Sequence, residues 1–150
     1  MVKFVDAKAD EKTGVSTVFL ENKGVTYVGY ALLTEGDDWS QIFGCTIAEI
    51  RATIKVINDI LCCKRKELKT IENFIKASEC YKNFDKDSAT AACIYRQFNR
   101  KKIEIERLKL RKAELKKYIS DSIEMRSKIK AKIFNMKTSK DKDKDKGKEN

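Results

Sequence analysis

From residue 47 onward the apolar residues of this chain recur at alternating steps of three and four, and the chain has no proline to interrupt the rhythm. That spacing places the apolar groups on one side of a helix. A chain that repeats it twice, with a short polar break between, folds as two long helices packed antiparallel. The first seam runs Ile47, Ile50, Ile54, Ile57, Leu61, Lys64, Leu68, Ile71, Ile75 and Ser78, and predicts a helix over 46–79 that is roughly 50 Å long at 1.5 Å per residue. Its start is set by Thr46-Ile-Ala-Glu49, which fits a capping box. A second row, Val56, Ile60, Cys63 and Phe74, widens the stripe beyond what one partner helix covers. Either the N-terminal strands or a second copy of the protein covers the remainder.

The break is Cys80-Tyr-Lys-Asn-Phe-Asp-Lys-Asp87, where Asp85 or Asp87 is the expected N-cap of the next helix. That helix is predicted over 87–137. Its seam begins at Ala91, Ile94 and Phe98, passes through Lys101, Ile105, Leu108, Lys112 and Leu115, and continues to Met136. It is longer than the first helix, so residues beyond about 120 should overhang it. They would reach the N-terminal strands or another subunit. The segment 138–150 alternates Lys and Asp, cannot bury apolar surface and is expected to be a disordered, solubilising tail.

The N-terminal third has a period of two. Val15-Ser-Thr-Val-Phe-Leu20 and Val25-Thr-Tyr-Val-Gly-Tyr-Ala-Leu-Leu33 flank Asn22-Lys23-Gly24 and predict a β-hairpin over 15–33. Residues 1–14 read as a flexible lead or a poor edge strand. The fold class that follows is α+β and mostly α: an N-terminal β-hairpin, a long coiled-coil-like helical hairpin, a single domain over 1–137, and the tail.

The chain has no histidine, which removes the commonest general base and a favoured metal ligand. It also contains no Ser/His or Cys/His pair and no phosphate-binding glycine loop. Glu35, Asp37 and Asp38 lack the ligand spacing of a calcium loop. Catalysis, cofactors and metals are therefore not expected. The five cysteines are odd in number and lack C-x-x-C spacing, and read as reduced, mostly buried thiols of a cytoplasmic protein. No apolar run approaches a membrane span.

Binding remains. The net charge of +10 is concentrated: residues 96–137 carry 15 Lys/Arg against 5 Asp/Glu, whereas residues 1–95 carry 13 against 14. Clusters such as Arg100-Lys-Lys102 and Arg107-Leu-Lys-Leu-Arg-Lys112 can track phosphates, which gives a nucleic-acid reading of the second helix. Glu104, Glu106 and Glu114 interrupt the patch. A small anionic ligand is the other reading. Arg51 follows the helix start closely, beside Trp39 and Phe43 of the junction and Tyr27 or Tyr30 of the hairpin, so cation and rings are expected together. Pairing of Arg51 with Asp37 or Asp38 would instead make it structural.

The run Tyr27-Val-Gly-Tyr-Ala31, the acidic pair Asp37-Asp38 and Phe43-Gly-Cys-Thr-Ile-Ala-Glu-Ile-Arg-Ala-Thr-Ile54 together resemble a family of small proteins from phages and prophages of low-GC Gram-positive bacteria. Their shared order is a strand pair, an acidic loop and two long helices, and the resemblance spans about residues 15–120. Within it, the chain is similar to the phage Thoeris anti-defence sponge proteins. That resemblance implies a non-enzymatic homo-oligomer of the host cytoplasm that sequesters a cyclic ADP-ribose-type or cyclic nucleotide signal between subunits. It nominates Arg51 as the leading ligand residue, then Arg96 and Arg100 on the second helix and Phe84 at the tip; Tyr30 and Trp39 join the candidates from the junction reading above. The alternative is a structural or nucleic-acid-associated phage protein that uses the basic second helix.

Overall fold

The computed structural model of the protein describes residues 1–33, 40–80 and 88–146, with side chains through residue 132. In chain order the elements are β1 (Lys3–Asp10), β2 (Val15–Asn22), β3 (Val25–Leu32), α1 (Gln41–Glu79) and α2 (Ala89–Lys146). The architecture is the expected α+β, mostly helical, with one strand more than a hairpin. The chain divides into two compact units, Met1–Leu115 and Lys116–Asn150.

The strands form one antiparallel sheet in the order β1-β2-β3. Residues 3–10 are thus an edge strand, with a register shift between Phe4 and Asp6. The β2–β3 turn is tighter than expected. Asn22 pairs with Val25, leaving the two-residue loop Lys23-Gly24 with both residues at positive φ, 52° and 77°. That geometry matches the twist of the flanking strands.

Alternation along the strands decides which face is wet. On β2, Ser16, Val18 and Leu20 are buried, and on β3, Tyr27, Gly29 and Ala31 are buried. These residues pair across the strands as Ser16–Ala31, Val18–Gly29 and Leu20–Tyr27, and they form the face that receives α1. On α1 the matching residues are Gly44, Ala48, Ala52 and Val56, spaced four apart on one ridge. Ala48 and Ala52 are fully buried and Val56 is 1% exposed. The approach is close enough that a Cβ added at Gly29 would lie 1.8 Å from the Ala48 carbonyl oxygen, and one at Gly44 would lie 2.2 Å from Ser16 Oγ. The sheet therefore takes the first part of the flanking row at Val56, whereas Cys63 and Phe74 further along stay exposed.

Helix α1 begins earlier than its capping-box signal suggests. Ser40 is the N-cap, with φ −147°, and its Oγ accepts from the Phe43 amide at 3.3 Å. Thr46 lies inside the helix, where its hydroxyl donates to the Ile42 carbonyl at 2.8 Å. Gly44, which read as punctuation before the helix, is instead part of the helix, because only a residue without a side chain fits over Ser16 there. The α2 cap differs too. Ser88 Oγ accepts from the Ala91 amide at 3.2 Å, whereas Asp85 and Asp87 lie outside the described residues. At its other end α2 continues to Lys146, nine residues past the expected end at 137 and into the segment read as a disordered tail.

The opposite side of α1 packs on α2. Ile57, Leu61 and Ile105 form a buried cluster, with Leu68, Leu108 and Leu115 against it. Two polar interruptions of the seams, Lys64 and Lys101, meet partners across this interface. Lys64 bonds Glu104 at 2.5 Å, and Lys101 bonds Glu67. The Lys101 ammonium holds the Glu67 carboxyl below its usual range, Lys64 does the same for Glu104, and Glu67 holds the Lys101 ammonium above its own. Tyr95 Oη donates to Glu79 at 2.9 Å nearer the turn. The second unit continues as the rest of α2, with Lys128 and Glu124 paired at 2.6 Å and Tyr118 and Met125 exposed.

The Gly29 contact is against backbone, which yields less readily than a side chain. Gly29→Ala should lower the stability to chemical denaturation by at least about 2 kcal/mol, toward the upper part of the overpacking range. A loss below about 0.5 kcal/mol, the scale of an ordinary surface change, would show that sheet and helix separate at little cost.

Candidate ligand-binding site

The site that joins cationic side chains to an exposed ring lies along the free edge of β3. Among the described residues strand β3 pairs only with β2, so carbonyls on its other side need partners. Helix α1 supplies them from two residues one turn apart. Arg51 Nη1 donates to the Tyr30 carbonyl at 2.6 Å, and Lys55 Nζ donates to the Val28 carbonyl at 2.5 Å. The spacing of four on the helix matches the spacing of two on the strand, because both advance by roughly 6 Å. The Lys55 ammonium also lies 5.6 Å from the centre of the Tyr30 ring, within the range of a cation–π contact. Tyr30 is half exposed and Arg51 is exposed.

Arg51 and Tyr30 are therefore brought together as expected, but through a backbone carbonyl. A guanidinium has five N–H donors, and this bond engages one of them. The tyrosine left open as an alternative, Tyr27, has a different role. It points inward on β3, is nearly buried, and its hydroxyl donates to Asp59 of α1 at 2.6 Å. That hydrogen bond, with burial and the Asp59 and Cys63 charges adding to it, raises the phenol to about 12.

Of the remaining nominated residues, only Arg96 and Arg100 are described, and neither joins this group. Trp39 and Phe84 lie outside the described residues, as do Asp37 and Asp38. Arg96 is exposed on α2, one residue after the Tyr95 that bonds Glu79. Arg100 lies 3.7 Å from Glu104, which is bonded to Lys64. Lys64 follows Arg51 by thirteen positions on α1, about 20 Å along the axis. Glu79 is about 40 Å along the same axis from Arg51. Within one chain, then, the α2 arginines and the Arg51 group are separate.

Sequence reasoning missed Lys55, although its signal was present, one turn after Arg51 on the same side of the helix. It also missed a second ring–cation pair, Lys8 over Phe19 at 5.8 Å. The cysteines differ from expectation. Cys62, Cys63, Cys80 and Cys93 are exposed and Cys45 is half-buried, because the first four fall off the helix seams. No cluster of three or more metal-ligating side chains occurs among the described residues, and no described helix is long and apolar enough to cross a membrane.

Comparison of the chain with protein-family models, with curated proteins and with solved structures finds no match.

The Tyr27 phenol carries a pH signature. Its folded value lies above the ordinary 10.0, so the bond to Asp59 stabilises fully below about pH 10 and is lost as pH rises toward 12. Phenolate absorbance should show one tyrosine titrating late, and Tyr27→Phe should remove that late step while leaving the others. A late step that persists in Tyr27→Phe, with the lost phenol titrating at an ordinary pH instead, would refute the Tyr27–Asp59 bond.

Proposed function

We propose that this protein is a non-enzymatic phage protein of the host cytoplasm that captures a phosphate-bearing nucleotide signal of the cyclic ADP-ribose or cyclic nucleotide type. The observation that carries the reading is the convergence of Arg51, Lys55 and the exposed Tyr30 ring at the β3 edge. A flat ring offers stacking to a base, and the unspent donors of a guanidinium and an ammonium suit phosphate oxygens. The resemblance around Phe43–Ile54 supports the same class, since Arg51 stands within it.

The reading includes a homo-oligomer. Arg96 and Arg100 lie too far along the helices to share a ligand with Arg51 of the same chain, so a site that uses both groups takes them from two copies. Exposed Phe74 and Cys63 on α1 supply apolar surface for such an assembly.

The second reading, a structural or nucleic-acid-associated protein using basic α2, has less support. Arg100, Lys101, Lys109 and Arg111 each have a carboxylate partner, which reduces the charge available to phosphates.

Calorimetry with cyclic ADP-ribose isomers and cyclic oligonucleotides tests the proposal. At least one should bind with micromolar or tighter affinity. Arg51→Ala should weaken it by about ten-fold or more, the effect of losing one charge-assisted hydrogen bond, while Arg51→Lys should retain part of the affinity. Circular dichroism controls for folding, because Arg51 also caps the strand. Absence of heat with every compound, from folded protein, would overturn the proposal.

A further inference from the structure

Within the unit Met1–Leu115 no described element packs on the sheet face turned away from α1, and the composition of that face is specific. Across the three strands it reads in rows: Asp10, Val15 and Leu32; Lys8, Thr17 and Tyr30; Asp6, Phe19 and Val28; Lys3, Glu21 and Thr26. Phe19 and Tyr30 are thus diagonal neighbours on adjacent strands, about 7–8 Å apart at that spacing. Each ring carries a lysine ammonium within 6 Å of its centre: Lys8 over Phe19 and Lys55 over Tyr30.

Two of the three acids on this face, Asp6 and Asp10, are engaged locally. Asp6 accepts from the Ala7 amide at 2.8 Å and lies 4.0 Å from Lys8. Asp10 accepts from the Lys12 amide and the Thr13 hydroxyl, both at 2.9 Å. Glu21 stands opposite Lys3 in the register. The Lys8 side chain remains 73% exposed.

We infer that this open sheet face binds single-stranded nucleic acid, with successive bases stacked on Phe19 and Tyr30 and the backbone held by Lys8 and Lys55. Two rings on neighbouring strands, each flanked by a cation, suit a polymer that alternates flat bases with anionic phosphates. A duplex hides the faces of its bases and offers only phosphates, so this surface discriminates against it. The inference does not depend on capture of a cyclic nucleotide, and it uses a different surface from basic α2.

Fluorescence anisotropy with labelled 12-mer uridine and thymidine single strands, and a duplex of equal length, tests it at low and moderate salt. The single strands should bind more tightly than the duplex, and affinity should fall as salt rises. Tyr30→Leu should weaken binding about ten-fold, on the scale of one lost base–ring stack, whereas Tyr30→Phe should retain it. Lys8→Ala, at an exposed position, should also weaken binding and reduce the salt slope. Arg107→Ala with Lys109→Ala on α2 should leave binding unchanged. Equal affinity for duplex, no binding at low salt, or indifference to both Tyr30→Leu and Lys8→Ala would overturn the inference. A protein that binds oligonucleotides but no cyclic compound retains this inference and loses the earlier proposal, and the converse result does the reverse.

Discussion

The first unit depends on a backbone-to-backbone contact, Gly29 of β3 resting on the Ala48–Ala52 turn of α1. A helix normally stands off a sheet by the length of two side chains. Here Gly44, Ala48 and Ala52 remove them from the helix side, and Gly29 and Ser16 nearly remove them from the sheet side. The close approach has a consequence at the sheet edge. Only a helix this near can place Arg51 and Lys55 within hydrogen-bond reach of the Tyr30 and Val28 carbonyls and Asp59 within reach of Tyr27 Oη. The polar contacts follow from the packing of the small residues. The same tightness leaves Ser16 Oγ buried without a hydrogen-bond partner among the described residues, a cost of about 1–3 kcal/mol that the surrounding packing must offset.

The other side of α1 has a different problem, register. Two long helices with leucine and isoleucine seams can slide by a turn at little cost in buried area. The crossed pairs Lys64–Glu104 and Glu67–Lys101 act against this. A slip of three residues one way sets Lys64 against Lys101, and the same slip the other way sets Glu67 against Glu104. These side chains are a quarter to a half exposed, so each pair contributes little net stability. Their effect is to penalise the alternatives. The lysines that looked like defects in the apolar seams are thus what distinguishes the native alignment from its neighbours.

Most of the helical hairpin was legible because its signal is a long period sustained over many turns. On α2, the seam from Ala91 to Leu115 coincides with the least exposed residues of that stretch. The strand faces were half legible. Both carry apolar groups, and only the helix contact shows that Tyr27, Gly29 and Ala31 turn inward. Errors collected where one residue type serves two purposes. Gly44 has the look of a helix boundary but is a packing residue, and Thr46 with Glu49 has the look of a cap but sits a turn and a half inside the helix. Strand β1 was ambiguous because its alternating charges suit an edge and a solvated lead equally. At the candidate site, Arg51 and Tyr30 were legible as neighbours, but the bond that joins them was not, since a strand carbonyl has no sequence signature.

That bond also bears on how a ligand would be held. An arginine that swings freely must lose its rotamer entropy on binding, about 2 kcal/mol for a long cationic side chain. Arg51 has its guanidinium already fixed to the Tyr30 carbonyl, and Lys55 is fixed at Val28, so much of that ordering is complete before any anion arrives. The cost is one donor from each group, leaving four on the guanidinium and two on the ammonium. Edge protection and anion binding are therefore compatible at this position. The strand edge needs donors for its carbonyls, and of the two cations anchored there Lys55 lies 5.6 Å from the centre of the Tyr30 ring. The conflict lies in mutation: removing Arg51 exposes a strand edge as well as removing a ligand contact, so loss of affinity is interpretable only beside a measure of folding and of self-association.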